Sequence, residues 1–156
     1  MKLWIDSREK WTQPNSTDTH IWGYFDRHGI EYEVKALSCG DYQLADNPNL
    51  AIERKMSLEE ISRNLMNAKD SGRFWREVRR SHEQGIKLVV LIESGRTVKT
   101  INDVVLWKSK YSPVTGRRLI DEMIRCEFSY GVVWKFCDRR STGKQIIDIL
   151  TGKENL

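Results

Sequence analysis

Lys87-Leu88-Val89-Val90-Leu91-Ile92-Glu93 is the stretch that most narrows what this chain can become. A strand with water on one face alternates apolar and polar side chains, whereas an unbroken apolar run of this length belongs to a strand covered on both faces. The run therefore calls for a sheet with helices packed on either side. The rest of the chain supplies the parts. Residues 2–5 read as a short buried strand, residues 30–37 as a partly alternating one, and residues 132–136 as the last. Residues 37–46 and 50–55 read as the arms of a bent hairpin joined by a turn at Asn47-Pro48-Asn49. Ile21, Trp22, Tyr24 and Phe25 form an apolar helical stripe that stops before Gly29, with caps available at Asn15-Ser16-Thr17. Ser57-Leu58-Glu59-Glu60 is a capping box, and its helix buries Leu58, Ile61 and Leu65 and ends near Asn67. Pro113, Thr115 and Gly116 open a helix to about residue 127 with Leu119, Met123, Ile124 and Phe128 inward, and residues 141–150 form a final helix packing through Ile146, Ile147 and Leu150. Residues 94–112 fit helix or strand. The expected fold class is α/β, a central mixed β-sheet flanked by helices, with residues 1–156 as a single domain.

At 156 residues, 39% apolar and with six Trp, the chain can bury a real core. It has no apolar run of membrane-spanning length, and Met1-Lys2-Leu3-Trp4-Ile5-Asp6 lacks the apolar centre of a signal peptide, so the expectation is a soluble, cytoplasmic protein with no membrane partner. Cys39, Cys126 and Cys137 share no metal-ligand spacing, which speaks for free thiols and against zinc. Cys39 reads as a small packed residue rather than a reactive one. The net charge of +4 is unevenly spread: residues 1–62 hold 7 Lys/Arg against 11 Asp/Glu, and residues 63–156 hold 19 against 11. An acidic site before a basic flank suits an enzyme that works on a polyanion with a metal.

The chemistry gathers on the hairpin. Along residues 50–55 side chains alternate, so Glu53 and Lys55 share one face while Ile52 and Arg54 take the other. Asp41, after the tight backbone that Gly40 permits, reaches the first of these faces from the neighbouring arm. Two carboxylates beside an ammonium make an oxygen-ligand site for Mg2+, with Mn2+ as a substitute, and a cation next to where a phosphate would sit. Asp6-Ser7-Arg8-Glu9 adds two carboxylates and a guanidinium at another strand end. Glu59 or Glu60, in the first turn after Lys55, is an accessory acid that could meet the metal through water. Arg73, Arg76 and Arg80 recur at helical spacing and make one face guanidinium-rich, a candidate DNA contact. Lys99, Lys108 and Lys110 could follow a nucleic-acid backbone or keep a loop soluble. Gly143-Lys144 lacks the glycine and hydroxyl residue of a P-loop, and His20, His28 and His82 have no metal spacing.

In this order, Asp6-Ser7-Arg8-Glu9, then Gly40-Asp41-Tyr42, then Glu53-Arg54-Lys55 with an acid at Glu59, the chain resembles the XPF-type nuclease domain, a branch of the PD-(D/E)XK nucleases. The likeness continues through Arg73-Phe74, the 88–93 strand and Val132-Val133-Trp134. The resemblance implies a restriction-endonuclease-like sheet and a Mg2+-dependent endodeoxyribonuclease acting on branched, flapped or distorted DNA. By position it makes Asp41 and Glu53 the main metal ligands, helped by the Arg54 carbonyl, with Asp6 and Glu9 as further carboxylates or ligands of a second metal. Lys55 would orient or help deprotonate the attacking water and steady the phosphate. Arg54 and Arg8 would organise the site and touch substrate, and Arg73 would belong to the basic helix beside it. The chain departs from the family pattern at Glu59, where an Asp is usual, and at Glu77, where a Gln is frequent. It also carries no helix-hairpin-helix domain, so the expectation is a stand-alone prokaryotic or phage form, nuclear only if eukaryotic. DNA is the expected partner, a homodimer is possible, and no small-molecule cofactor is implied. The alternatives are a catalytically silent DNA-binding or scaffold subunit of a repair or recombination complex, and an RNA-directed or restriction-type nuclease.

Overall fold

The structure, a computed structural model, describes residues 1–9, 20–66 and 68–156, with backbone alone at 68–71. The proposed caps at Asn15-Ser16-Thr17 and the helix end at Asn67 lie outside the described residues. Six strands, β1 (Leu3–Asp6), β2 (Tyr32–Lys35), β3 (Tyr42–Leu44), β4 (Asn47–Lys55), β5 (Lys87–Glu93) and β6 (Val133–Cys137), form one sheet in the order β2-β1-β3-β4-β5-β6. It is mixed: β1 runs parallel to β2 and antiparallel to β3, β3 antiparallel to β4, and β4, β5 and β6 are parallel.

The apolar run 88–92 does what its lack of alternation requires. Val89 and Leu91 pack with Leu3, Ile5 and Ile52 beneath α1 (His20–Arg27) and α5 (Thr142–Leu150). Leu88, Val90 and Ile92 pack with Ala51 beneath α2 (Leu58–Met66), α3 (Ala68–Glu83) and α4 (Gly116–Tyr130). Each such side chain contributes about 1.5–3 kcal/mol of burial. β4 lies beside β5 and inherits both layers, so alternation along β4 sends neighbouring residues into different environments.

Several expectations shift. The hairpin turn is at Ala45-Asp46, not at Asn47-Pro48-Asn49, which lies within β4. Gln43 pairs with Ala51 but Leu44 with Asn47, so the extra β4 residues bulge there, where Pro48 needs no ladder N–H and its carbonyl accepts from Gln43 Nε2 at 3.1 Å. Only residues 42–44 of the first arm are strand, and the second strand covers 32–35. Trp22 is exposed while Ile21 and Phe25 are buried. In α4 the inward row is Gly116, Leu119, Met123 and Cys126, and Ile124 and Phe128 point outward, 51% and 91% exposed. Residues 94–112 contain a 3-10 turn, Ile101–Leu106, that packs against α4 through Val104. Among the described residues no helix is long and apolar enough to cross a membrane.

Candidate active site

The end of β4 and the start of β3 meet at one edge of the sheet, where β1 also ends. Tyr42 pairs with Ile52 and Ile5, which brings Asp41 beside Glu53 and Asp6. Backbone bonds strap Asp41 in place: its N–H donates to the Ile52 carbonyl at 2.7 Å and its carbonyl accepts from the Asp6 N–H at 2.8 Å. Gly40, with φ of 72°, comes so close to β4 that a Cβ there would stand 2.9 Å from Ala51 Cβ and 3.0 Å from the Ile52 carbonyl. A larger residue would push Asp41 off the strand. Glu53 and Lys55 then point together toward α2 and α3, their charged ends 3.0 Å apart. Asp41, Glu53 and Lys55 line one cleft of about 350 Å3, joined by Arg8 and by Glu60, Arg63 and Asn64 of α2 and Arg73, Phe74 and Glu77 of α3.

Electrostatics in the cleft are out of balance. Burial pushes the Asp41 carboxyl well above its ordinary range, and the charges of Glu53 and Glu9 push it further against one opposing bond, from the Arg54 N–H to its Oδ2 at 2.8 Å. Burial likewise lifts Glu53 to about 7, although Lys55 pulls it down. For Lys55 the order reverses: burial would lower it, but Glu53 and Glu60 outweigh that and hold it protonated. The ammonium stands 5.3 Å from the centre of the Phe74 ring. Lys55 thus lies within 4 Å of two acids, Glu53 and Glu60. Among the described residues no three His, Cys, Asp or Glu side chains converge as a finished metal cage. The pair Asp41 and Glu53 nevertheless fits a hard divalent cation that takes its remaining oxygens from backbone and water, since burial and nearby carboxylates raise the cost of ionising both and a cation would relieve it.

The remaining candidates divide. Arg8 reaches the cleft, held by Asp6 through its Nε at 2.8 Å and Nη2 at 3.0 Å. Asp6 is buried, which by itself raises its pKa, but these bonds and the Leu37 N–H at 2.9 Å keep it below the ordinary value. Arg54 points to the opposite face of the sheet, where Glu9 takes its Nε and Nη2 at 2.9 Å each and Glu93 its Nη1 at 3.1 Å. Tyr42 donates its hydroxyl to the same Glu9, and Thr142 and His20 meet Glu93. Glu9 and Arg54 therefore brace the strands behind the cleft and do not line it. Of the three arginines proposed as DNA contacts on α3, Arg73 lines the cleft, Arg76 is exposed farther along the helix, and Arg80 donates to the Ser38 carbonyl at 2.7 Å.

Of the two acids opening α2, Glu60 faces the cleft, 3.9 Å from Lys55, and Glu59 turns away to hold Ser109 and Lys110. Glu77, met in the sequence only as a departure, bonds the Gly40 N–H at 2.8 Å and lines the cleft. Asn64 also lines it, with a buried Oδ1 that has no hydrogen-bond partner among the described residues. The helical spacing of residues 60, 63 and 64, and of 73, 74 and 77, was the signal available for these. All three cysteines are buried free thiols, and burial pushes Cys39 up to about 11, which leaves no reactive thiolate near the cleft.

Residues 5–145 match the family model described as ERCC4 domain. Among solved structures the chain is similar to XPF from Aeropyrum pernix, with a TM-score of 0.69 and 19% identity over 98% of this chain and 65% of that one. It is equally similar to XPF from Aeropyrum pernix in complex with DNA, with a TM-score of 0.69 and 20% identity over 97% and 64%. The chain thus spans a little under two thirds of the solved chains it matches, and at this identity the likeness is one of fold. No curated protein matches it.

Proposed function

The chain belongs to the ERCC4 domain family, the XPF-type nuclease domain, and from that premise we propose that it is a divalent-metal-dependent endonuclease that hydrolyses phosphodiester bonds in branched, flapped or otherwise distorted DNA. The observation that carries the reading is the meeting of Asp41, Glu53 and Lys55 at one cleft, with the two acids driven upward by burial and by neighbouring carboxylates. Asp41 and Glu53 would hold Mg2+, or Mn2+ in its place. The ion, when bound, supplies Lewis-acid polarisation of a phosphoryl oxygen and a more acidic water. Lys55, whose pKa Glu53 and Glu60 raise, would offset negative charge that builds on the phosphate oxygens. Arg8, steered by Asp6, and Arg73 from α3 place flanking phosphates. Arg54 fixes Asp41 through its backbone N–H, and its side chain with Glu9 and Glu93 keeps β4 from shifting.

Incubation with linear, flap, fork and four-way DNA, each with Mg2+, Mn2+ or chelator, tests the reading. Cleavage should require metal and favour the branched substrates, and Asp41→Ala should lose more than about 100-fold in rate with folding and most DNA binding intact. Equal cleavage by that variant removes Asp41 from the site. A parent protein that binds DNA but nicks none of these substrates is a silent binding subunit, and faster cleavage of matched RNA would assign it to RNA.

A further inference from the structure

Behind α2, away from Glu60 and Asn64, a short loop displays an aromatic side chain that the core does not use. Lys108 and Thr115 form an antiparallel bridge, the Ser109 N–H donates to the Val114 carbonyl at 3.0 Å, and the Gly116 N–H donates to the Trp107 carbonyl at 2.7 Å. Glu59 ties the loop to α2, accepting from the Ser109 hydroxyl at 2.9 Å and from the Lys110 N–H at 2.7 Å. Ser109 Oγ in turn accepts from the N–H groups of Tyr111 and Ser112, both at 3.1 Å. These bonds fix the backbone beneath Tyr111, yet the residue is 83% exposed.

A single exposed tyrosine means little. This one lines two adjoining grooves, of about 570 and 290 Å3, and Arg63 lines both of them and the active-site cleft as well. Lys108 and Lys110 flank the ring, and among the described residues no ion pair holds their ammonium groups or the Arg63 guanidinium. Unpaired cations interleaved with a rigid aromatic are the elements of a single-strand binding track: the cations follow the phosphates, and the ring takes a base of any sequence because every base has a π-face. The way from the cleft to the ring crosses one helix, a width of about 10 Å.

We propose that Tyr111 is a stacking platform for an unpaired base of the DNA strand that enters the cleft, with Arg63, Lys108 and Lys110 on its phosphates. The inference rests on the reading of the cleft as a DNA site and extends it to specificity. A base must leave its duplex before the ring can cover it, so the platform favours DNA with an unpaired arm.

Binding is measured in chelator, where cleavage does not intervene, with a duplex carrying a single-stranded flap and with the matched full duplex. The flap carries 2-aminopurine beside the junction, and the parent protein is compared with Tyr111→Phe and Tyr111→Ala. Tyr111→Ala should bind the flapped DNA about 5- to 100-fold more weakly, the range expected for one stacked base, with duplex binding unchanged. Parent and Tyr111→Phe should quench the 2-aminopurine, and Tyr111→Ala should not. Equal flap affinity and quenching by Tyr111→Ala, or an equal loss on both DNAs, overturns the platform. Cleavage in Mg2+ is scored separately: a protein that never nicks but shows Tyr111-dependent quenching keeps this inference and loses the nuclease reading, whereas an active nuclease without it loses this inference alone.

Discussion

Lys55 stands 3.0 Å from Glu53 and 3.9 Å from Glu60, and these acids outweigh the effect of burial on its charge. For Asp41 and Glu53 burial outweighs the opposing contacts, the Arg54 N–H on Asp41 and Lys55 on Glu53, and their shifts carry a stability consequence with a definite sign. Glu53 rises from 4.5 to about 7 on folding, and Asp41 rises as well. The folded state therefore holds more protons than the unfolded one, so stability present below about pH 4.5 is lost as pH rises toward about 7. Metal-free protein should melt at a progressively lower temperature over that interval, and Mg2+ should restore more stability above it than below. Asp41→Asn, which keeps an oxygen for the Arg54 N–H, should melt higher than the parent without metal, by about 2–4 °C for each kcal/mol relieved. Scanning calorimetry across pH, with and without Mg2+, reads both; a melting temperature indifferent to pH and metal would remove the charge imbalance. Glu53 and Lys55 were legible as sharing one face because strand alternation is independent of packing. Glu60 was harder to distinguish from Glu59, because about 100° of helix separates them and the angle at which α2 leaves β4 is a tertiary quantity.

The layers on either side of β4 make Glu53 and Arg54 different in kind. Arg54 is buried between Glu9 and Glu93, and an ion network of this sort is costly to break because removal of one member strands the others. Arg54→Ala should destabilise the fold by about 3–5 kcal/mol in urea unfolding, while Arg125→Ala, which opens an exposed pair with Glu122 on α4, should cost about 0.5 kcal/mol or less. Similar costs for the two variants would mean that the network does not brace the sheet. The first turn of α4 is equally sensitive. A Cβ on Gly116 would fall 1.9 Å from the Val104 carbonyl, so only glycine lets the 3-10 turn and the Tyr111 loop dock there. Element existence was legible from periodicity, and so was the both-faces burial of β5. The phase of α4 was not, because Ile124 and Phe128 sit on the same helix as Leu119 and Met123 and only the docking angle says which row faces Val132 and Trp134. Pro48 reads as a turn residue because proline cannot serve a regular ladder, and the bulge that accommodates it is visible only once Leu44 pairs with Asn47.

For the molecule as a whole, residues 63–156 hold 19 basic against 11 acidic residues, and two of the basic ones, Arg63 and Arg73, line the cleft beside Asp41 and Glu53. DNA held by such a surface should dissociate steeply with salt. Arg73→Ala should weaken binding to all DNA forms alike and lower the slope of log affinity against log salt by about 1, as loss of one phosphate contact requires. A fluorescence-anisotropy salt series with an unchanged slope would take Arg73 off the DNA path. Sequence alone determined the kind of sheet, the order of its motifs and the shared face of Glu53 and Lys55, since apolar runs and alternation are properties of neighbours along the chain, whereas the pairing of Tyr42 with Ile52 brings Asp41 to them. The tertiary structure decided that Glu9 and Arg54 brace the back of the sheet, that Glu77, Asn64 and Glu60 wall the cleft, and that Glu59 anchors the Tyr111 loop. Each of those depends on how two elements distant in the chain meet, and their crossing follows from the packing of both cores together.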